Sequence, residues 1–309
     1  MLRRLALAGL ALAALCGPAP ARELKAVGIT LGSLGNPFFV ALAKGGEAAA
    51  RAINPNVRVT VASAEYDLFK QFTQIDNFIA LGVDLILINA ADPRAVLAAV
   101  RRARAAGIVV IGVDVAASGA DATVQTDNTQ AGAISCAYLA EKIGGRGNVI
   151  IENGPQVSAV IDRVKGCKES LAKRPEIKIL SDDQDGKGSR EGGLAAMQGY
   201  LTRFPEIAGV FTINDPQAIG SDLAARQLGR KNIVITSVDG APDIETALKG
   251  NTLIKASASQ NPFAISAQAV KIGYGILNGQ KPADPMVLIP SVLVTPETVG
   301  SYRGWASGP

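Results

Sequence analysis

Asn36-Pro37-Phe38-Phe39 follows directly on the first strand-like run of the chain, Lys25-Ala-Val-Gly-Ile-Thr-Leu-Gly32. The run is short and apolar and ends in Gly-Ser-Leu-Gly, so it reads as a buried strand leaving a sheet. Pro37 cannot continue a strand but suits the first turn of a helix, and Asn36 stands where a cap belongs. This order of strand, turn and helix start puts two rings at the carboxyl end of a strand, where open α/β sheets bind ligands. The chain has only 8 Phe and 5% aromatic residues, so two at one strand end are suggestive of a site. The competing role is packing beneath the first helix, which either ring can also serve.

Working outward, strand-length apolar runs at 26–31, 57–62, 85–89 and 109–113 alternate with helical stretches near 38–53, 68–81 and 93–106. A second series follows, with strands at 148–152, 177–181, 209–213 and 233–238 and helices near 130–143, 159–172, 190–204 and 216–228. A strand near 253–257, a helix at 262–278 and a strand-like tail at 286–294 complete it. Such alternation predicts an α/β protein with parallel sheets covered by helices on both faces. There is no sequence repeat, but two similar halves in 309 residues predict two doubly wound parallel-sheet domains with a cleft between them.

Composition narrows the function. At 48% hydrophobic and 19% charged residues the chain is globular. Residues 1–21 read differently: Arg3 and Arg4 precede an apolar run from Leu5 to Leu15, and Ala19-Pro20-Ala21 supplies small residues for cleavage. This is the pattern of a secretory signal, too short to span a bilayer. Its removal leaves 29 basic against 27 acidic residues, with no basic cluster that would bind nucleic acid. Two cysteines remain, Cys136 and Cys167, which an oxidising compartment permits to pair but which could equally be buried thiols. The chain has no histidine at all. That removes the commonest general base and metal ligand, so Ser-His-Asp and Cys-His catalysis are impossible and a metal site is not expected.

Polar residues gather at the carboxyl ends of the strands: Asn89, Asp114, Asp127-Asn128, Asn214-Asp215, Asp239-Gly240 and Gln260. Any one of them could be a helix cap. Together they suit a neutral, hydroxyl-rich ligand, since carboxylates accept from hydroxyls, amides donate and accept, and a phenyl face can lie against the C–H side of a sugar. No glycine-rich phosphate loop is present, and Gly28, Gly32 and Gly35 are wrongly spaced for a dinucleotide, so no cofactor is expected. Ser181-Asp-Asp-Gln-Asp185-Gly186 imitates part of a calcium loop, but it starts with Ser and Glu191 falls one residue short. It reads better as a strand-to-helix loop near the cleft.

In combination, Gly35-Asn36-Pro37-Phe38-Phe39, Leu87-Ile88-Asn89, Val113-Asp114, Thr126-Asp127-Asn128, Arg163-Val-Lys-Gly166, Asn214-Asp215, Val238-Asp239-Gly240 and Ser259-Gln260 resemble the periplasmic pentose/hexose-binding proteins of ABC importers, the ribose-binding-protein-like group. The resemblance covers essentially all of the mature chain. It implies that Asn36, Phe38, Phe39, Asn89, Asp114 and Arg163 line a sugar site, with Asn214, Asp239 and Gln260 on its far side. It also implies a discontinuous division: 23–126 plus 261–285 form the first domain and 127–260 plus 286–309 the second. The hinge crossings then lie near 126–128, 259–262 and 283–287. Cys136 and Cys167 would fall on neighbouring helices of the second domain, which favours a disulfide between them. Two departures stand out. Val115 occupies a position where ribose-type members carry arginine, and the loop 183–189 lacks their aromatic residue. The implied role is that of a monomeric periplasmic protein that hands a sugar or polyol to an ABC permease and performs no chemistry. The alternative is a sugar sensor engaging a chemoreceptor or histidine kinase. A repressor core of the same architecture would need a DNA-binding helix-turn-helix where the apolar signal stands.

Overall fold

The unbroken apolar run that opens the mature chain forms β1 (Ala26–Leu31), buried at every position. The structure is a computed structural model and describes residues 21–305, so the expected signal lies outside the described residues except for Ala21. After β1 come α1 (Pro37–Ile53), β2 (Arg58–Ser63), α2 (Leu68–Ala80), β3 (Leu85–Ile88), α3 (Leu97–Ala105), β4 (Val109–Val113) and β5 (Ala122–Thr126). The second series runs α4 (Asn128–Lys142), β6 (Gly147–Glu152), α5 (Ser158–Leu171), β7 (Ile177–Ser181), α6 (Arg190–Arg203), β8 (Gly209–Thr212) and α7 (Asp215–Gln227). It continues with β9 (Val234–Asp239), α8 (Pro242–Lys249), β10 (Ile254–Ser259), α9 (Pro262–Leu277), β11 (Met286–Ile289) and β12 (Leu293–Val294).

The strands form two six-stranded sheets, ordered β11-β5-β4-β3-β1-β2 and β12-β10-β9-β8-β6-β7. All pairings are parallel except β10 with β12. In each sheet the chain first steps outward (β1 to β2, β6 to β7) and then continues on the other side (β3, β8). That reversal opens a crevice at the carboxyl ends of the strands. Buried strands such as β3 (Leu-Ile-Leu-Ile) and β4 are apolar at both alternate positions because helices cover both faces.

Three segments cross between the sheets, and hydrogen bonds tie them to one another. Thr126 Oγ1 donates to Gln260 Oε1 at 2.7 Å. The Asp127 amide donates to the Ile289 carbonyl at 2.8 Å, and Ser291 Oγ to the Ser259 carbonyl at 2.6 Å. The third crossing lies later than the 283–287 expected, and 286–289 does not join the second sheet. Met286–Ile289 pairs with Thr123–Thr126 at the edge of the first sheet, and the chain changes sheets only across Pro290–Val292. The apolar tail read as one strand is therefore two, divided by a proline that cannot donate to a ladder.

Candidate functional site

Each end of the crevice is built by local chemistry. Asn36 caps α1 with Oδ1 accepting from the Phe38 amide at 2.9 Å, which fixes the angle at which the two phenylalanines leave the strand end. Both rings are buried, 3% and 4% exposed, and meet edge to face at 5.4 Å between centroids. They pack beneath α1 and also line a cavity, so the two roles are not exclusive. Asn214 caps α7 in the second sheet in the same way, with Oδ1 accepting from the Gln217 amide at 3.1 Å. Its Nδ2 donates to the Gly188 carbonyl at 3.0 Å.

That cavity lies between the carboxyl ends of the two sheets. Asn36, Phe38, Phe39, Asn89, Asp114, Arg163, Asn214, Asp239 and Gln260 all line it. Asp114 follows β4 with φ +65, a left-handed backbone that aspartate tolerates better than most residues. Asn89 Nδ2 donates to Asp114 Oδ2 at 2.9 Å, while Asp114 Oδ1 is buried with no partner. An unpartnered carboxylate oxygen beside an empty space is an acceptor held ready for a ligand donor.

Asp239 stands opposite, at the end of β9. Its Oδ1 accepts from Gln260 Nε2 at 2.7 Å and from Arg163 Nη1 at 3.5 Å. Arg163 is itself held by Nε to Asn128 Oδ1 at 2.8 Å and Nη1 to the Ile213 carbonyl at 2.7 Å. No described residue accepts from its Nη2, which leaves one fork of the guanidinium for the cavity. Burial pushes the Asp114 carboxyl up to about 6 against the pull of the Arg163 guanidinium. Asp239 is raised to about 6 by the same two opposed influences. Asp215 is pushed well above the carboxylate range by burial and by the neighbouring Asp239 charge. It does not line this cavity; Ser237, Ser257 and the Ala241 amide hold it beneath the site. Asn128 likewise acts through Arg163.

Acceptors on two facing walls, amides between them, one guanidinium fork and two phenyl rings can enclose a neutral polyhydroxylated molecule. Among the described residues no cluster of His, Cys, Asp or Glu could hold a metal ion, and no helix is long and apolar enough to cross a membrane. A family model described as a periplasmic binding protein domain matches residues 27–281. The chain belongs to the periplasmic binding protein family.

Within that family it is similar to ribose-type sugar-binding proteins. The ribose import binding protein of Bacillus subtilis is 31% identical over 258 residues, covering 82% of each chain. A xylitol-binding protein of Mycolicibacterium smegmatis is 30% identical, covering 87% of this chain and 77% of its own. A crystal structure of an ABC transporter solute-binding protein from Actinobacillus succinogenes with bound D-allose superposes with a TM-score of 0.82 at 28% identity. The match covers 90% of this chain and all of that one. The protein is a solute-binding protein and not an enzyme.

In this binding protein Val115 is buried in the cavity wall, with Val157, Val160 and Ile213 completing an apolar side. The loop between β7 and α6 contributes only the backbone of Gly188. Tyr66 is a functional candidate that the sequence does not announce, and the role of Trp305, open from sequence, is settled by its packing. Tyr66 lines the cavity from the β2–α2 turn, and Trp305 packs behind Phe38 at 5.6 Å between centroids. The one available signal was scarcity, since the chain holds a single Trp and five Tyr. Cys136 of α4 and Cys167 of α5 are joined by a disulfide, with Cα atoms 5.1 Å apart.

Proposed function

We propose that this protein is the substrate-binding component of an ABC importer, and that it captures a neutral sugar or polyol between its two sheets. The observation that carries this reading is the facing pair Asp114 and Asp239, each at a strand end of a different sheet and both on one cavity wall set. Ligand hydroxyls donate to these carboxylates and to Asn36, Asn89, Asn214 and Gln260 oxygens, while Arg163 donates to a ligand oxygen. Phe38 and Phe39 lie against its C–H face. Bending of the three crossing segments closes the two halves over the ligand and excludes water, which strengthens each buried polar contact. The division falls at 126–128, 259–262 and 289–293. The closed form of a periplasmic monomer then delivers its cargo to a membrane permease, after a signal in residues 1–21 has directed secretion.

The ligand differs from ribose in what it presents to the Val115 side. An arginine there would demand an oxygen, whereas Val115, Val157 and Val160 accept a C–H or methyl edge. Another pentose, a hexose, a polyol or a deoxysugar meets that condition. The test is a thermal-shift screen against pentoses, hexoses, polyols, deoxysugars and nucleosides, followed by calorimetry on any hit. A ligand at 100 times its Kd stabilises the fold by about 2.7 kcal/mol, a readily measured shift in melting temperature. A shift with one sugar or polyol supports the assignment and names the cargo. No shift across the panel overturns it.

A further inference from the structure

The sugar cavity and a larger groove outside it share three lining residues: Asn36, Tyr66 and Gly188. Of these, Tyr66 carries the largest side chain, and its backbone is held against local preference. Glu65 at φ +52 and Tyr66 at φ +59 are consecutive non-glycine residues in the left-handed region, between β2 and the Asp67 cap of α2. An aromatic residue rarely adopts that conformation, and such outliers cluster at ligand clamps. The surroundings secure it. Glu65 accepts from Ser33 Oγ at 2.8 Å and from Ser63 Oγ, and the Tyr66 amide donates to the Gly32 carbonyl at 3.3 Å.

The ring is equally constrained. It meets Phe39 at 6.2 Å and 71°, and it lies over Gly32, where a Cβ would come within 2.8 Å of Cε1. The hydroxyl, by contrast, has no hydrogen-bond partner among the described residues. Across the gap stands Gly188 at φ +61, where a Cβ would sit 3.8 Å from the Tyr66 hydroxyl and 3.4 Å from Asn214 Nδ2. Every part of Tyr66 is fixed except the one polar atom, which is left at the doorway.

We infer that Tyr66 is a specificity-determining residue: its hydroxyl bonds the ligand, and its ring shuts the cavity against the outer groove, limiting the site to a single sugar or polyol unit. This rests on the sugar-binding reading above. Gly188 faces the phenol across the gap, at a left-handed φ of +61 that favours glycine there.

Calorimetry on the mature protein with D-ribose, D-allose, xylitol and myo-inositol is the test, repeated on Tyr66→Phe and Tyr66→Ala. Tyr66→Phe keeps the ring and should bind the parent's ligand about tenfold more weakly. Its melting temperature without ligand should match the parent's. A deoxy analogue lacking the contacted hydroxyl should bind parent and Tyr66→Phe alike, which assigns the loss to that contact. Tyr66→Ala should accept alkyl glycosides of the same sugar that the parent rejects. If the parent binds its ligand and Tyr66→Phe binds it within twofold, this inference is overturned while the sugar-binding reading stands. If the parent binds none of the four, nor any member of the wider panel, both fall together.

Discussion

Trp305 Nε1 donates to the carbonyl oxygen of Asp239 at 2.8 Å, and the same indole packs edge-on against Phe38. Asp239 ends a strand of the second sheet, whereas Phe38 begins the helix that follows β1 of the first. One residue near the C-terminus thus joins two walls of the cavity from behind, and separation of the walls would break one contact or the other. Trp305→Ala removes a buried hydrogen bond of about 1 kcal/mol and an aromatic pair of about the same size. Ligand affinity should fall by roughly tenfold to a hundredfold, with circular dichroism unchanged. Unaltered affinity would show that the tail does not hold the closed arrangement. Because this is the only Trp in the chain, its fluorescence in the parent protein should also respond to ligand.

The two cavity aspartates make a pH prediction. Burial raises both Asp114 and Asp239 to about 6, whereas an unfolded Asp titrates near 4. Between roughly pH 4 and 6 the folded protein keeps protons that the unfolded chain has released. Stability from these groups therefore falls as pH rises through that window and levels off above it. For Asp114 the loss is on the order of 3 kcal/mol. Ligand hydroxyls act in the opposite sense, because they donate to the ionised carboxylates and draw the protons off. Affinity should rise from pH 5 to pH 7, with proton release near pH 6, measured by calorimetry in two buffers of different ionisation heat. A flat affinity profile would mean that neither carboxylate receives the ligand.

Asp239→Ala addresses the same site by deletion. It leaves Gln260 Nε2 without its acceptor and the Arg163 guanidinium without its only carboxylate among the described residues. Leaving buried donors unpaired costs about 1–3 kcal/mol each, so ligand affinity should drop by about a hundredfold or more. The fold should remain cooperative in thermal unfolding. Binding at parental strength would mean that the ligand does not sit between these two sheets.

Much of the lining of this cavity was legible because it is local. A strand end, a cap and a polar residue in sequence identify Asn36, Asn89, Asp114, Asn214, Asp239 and Gln260, and α/β alternation aims them at one crevice. What stayed hidden depends on long-range contact or on a broken pattern. Asn128 and Asp215 carry the same signature as the cavity residues, yet they serve as supports, which only the packing of Arg163 and of Ser237 and Ser257 decides. Tyr66 reaches the site through two left-handed residues that no periodicity announces. β5 does not stand out in the sequence because Thr123, Gln125 and Thr126 interrupt its apolar run, although all three are buried. α8 escaped too, being a single short helix of eight residues behind Gly240.

Glu152 is fully buried at the end of β6, away from the cavity. Gln217 Nε2 donates to its Oε1 at 2.9 Å, and Ser221 Oγ lies 2.7 Å from its Oε2. Burial pushes its carboxyl up to about 8, well above an unfolded Glu near 4.3. When protonated it can donate to Ser221 Oγ, which can pass its own hydrogen to the Gly193 carbonyl at 3.3 Å. Between roughly pH 4 and 8 the unfolded chain releases this proton first, so the contribution of Glu152 to stability declines as pH rises. Glu152→Gln is neutral throughout and can keep both partners. It should flatten the decline in melting temperature between pH 6 and 8.5 and exceed the parent at the upper end. A variant that melts below the parent at pH 8.5 would show that the ionised carboxylate is the form the fold prefers.

Two glycines let α4 and α5 cross closely beside Arg163. A Cβ at Gly132 of α4 would lie 2.0 Å from the Arg163 carbonyl oxygen, and one at Gly166 of α5 would lie 2.0 Å from that of Thr129. The obstacles are backbone atoms, so Gly132→Ala must push the two helices apart. That movement drags Arg163 off Asn128 and Ile213, and with them off Asp239. We expect a loss of about 1–3 kcal/mol in stability from overpacking and at least a tenfold loss of ligand affinity. Reducing the Cys136–Cys167 disulfide separates these two effects. Its loop of 31 residues should cost about 3–4 kcal/mol of stability through the unfolded chain. Yet the folded helix crossing keeps its glycines, so affinity at low temperature should stay close to the parent's. Equal affinity in Gly132→Ala would mean that the guanidinium finds its place without the close crossing. Lost affinity on reduction alone would mean that the disulfide, and not the glycine contact, sets the position of Arg163.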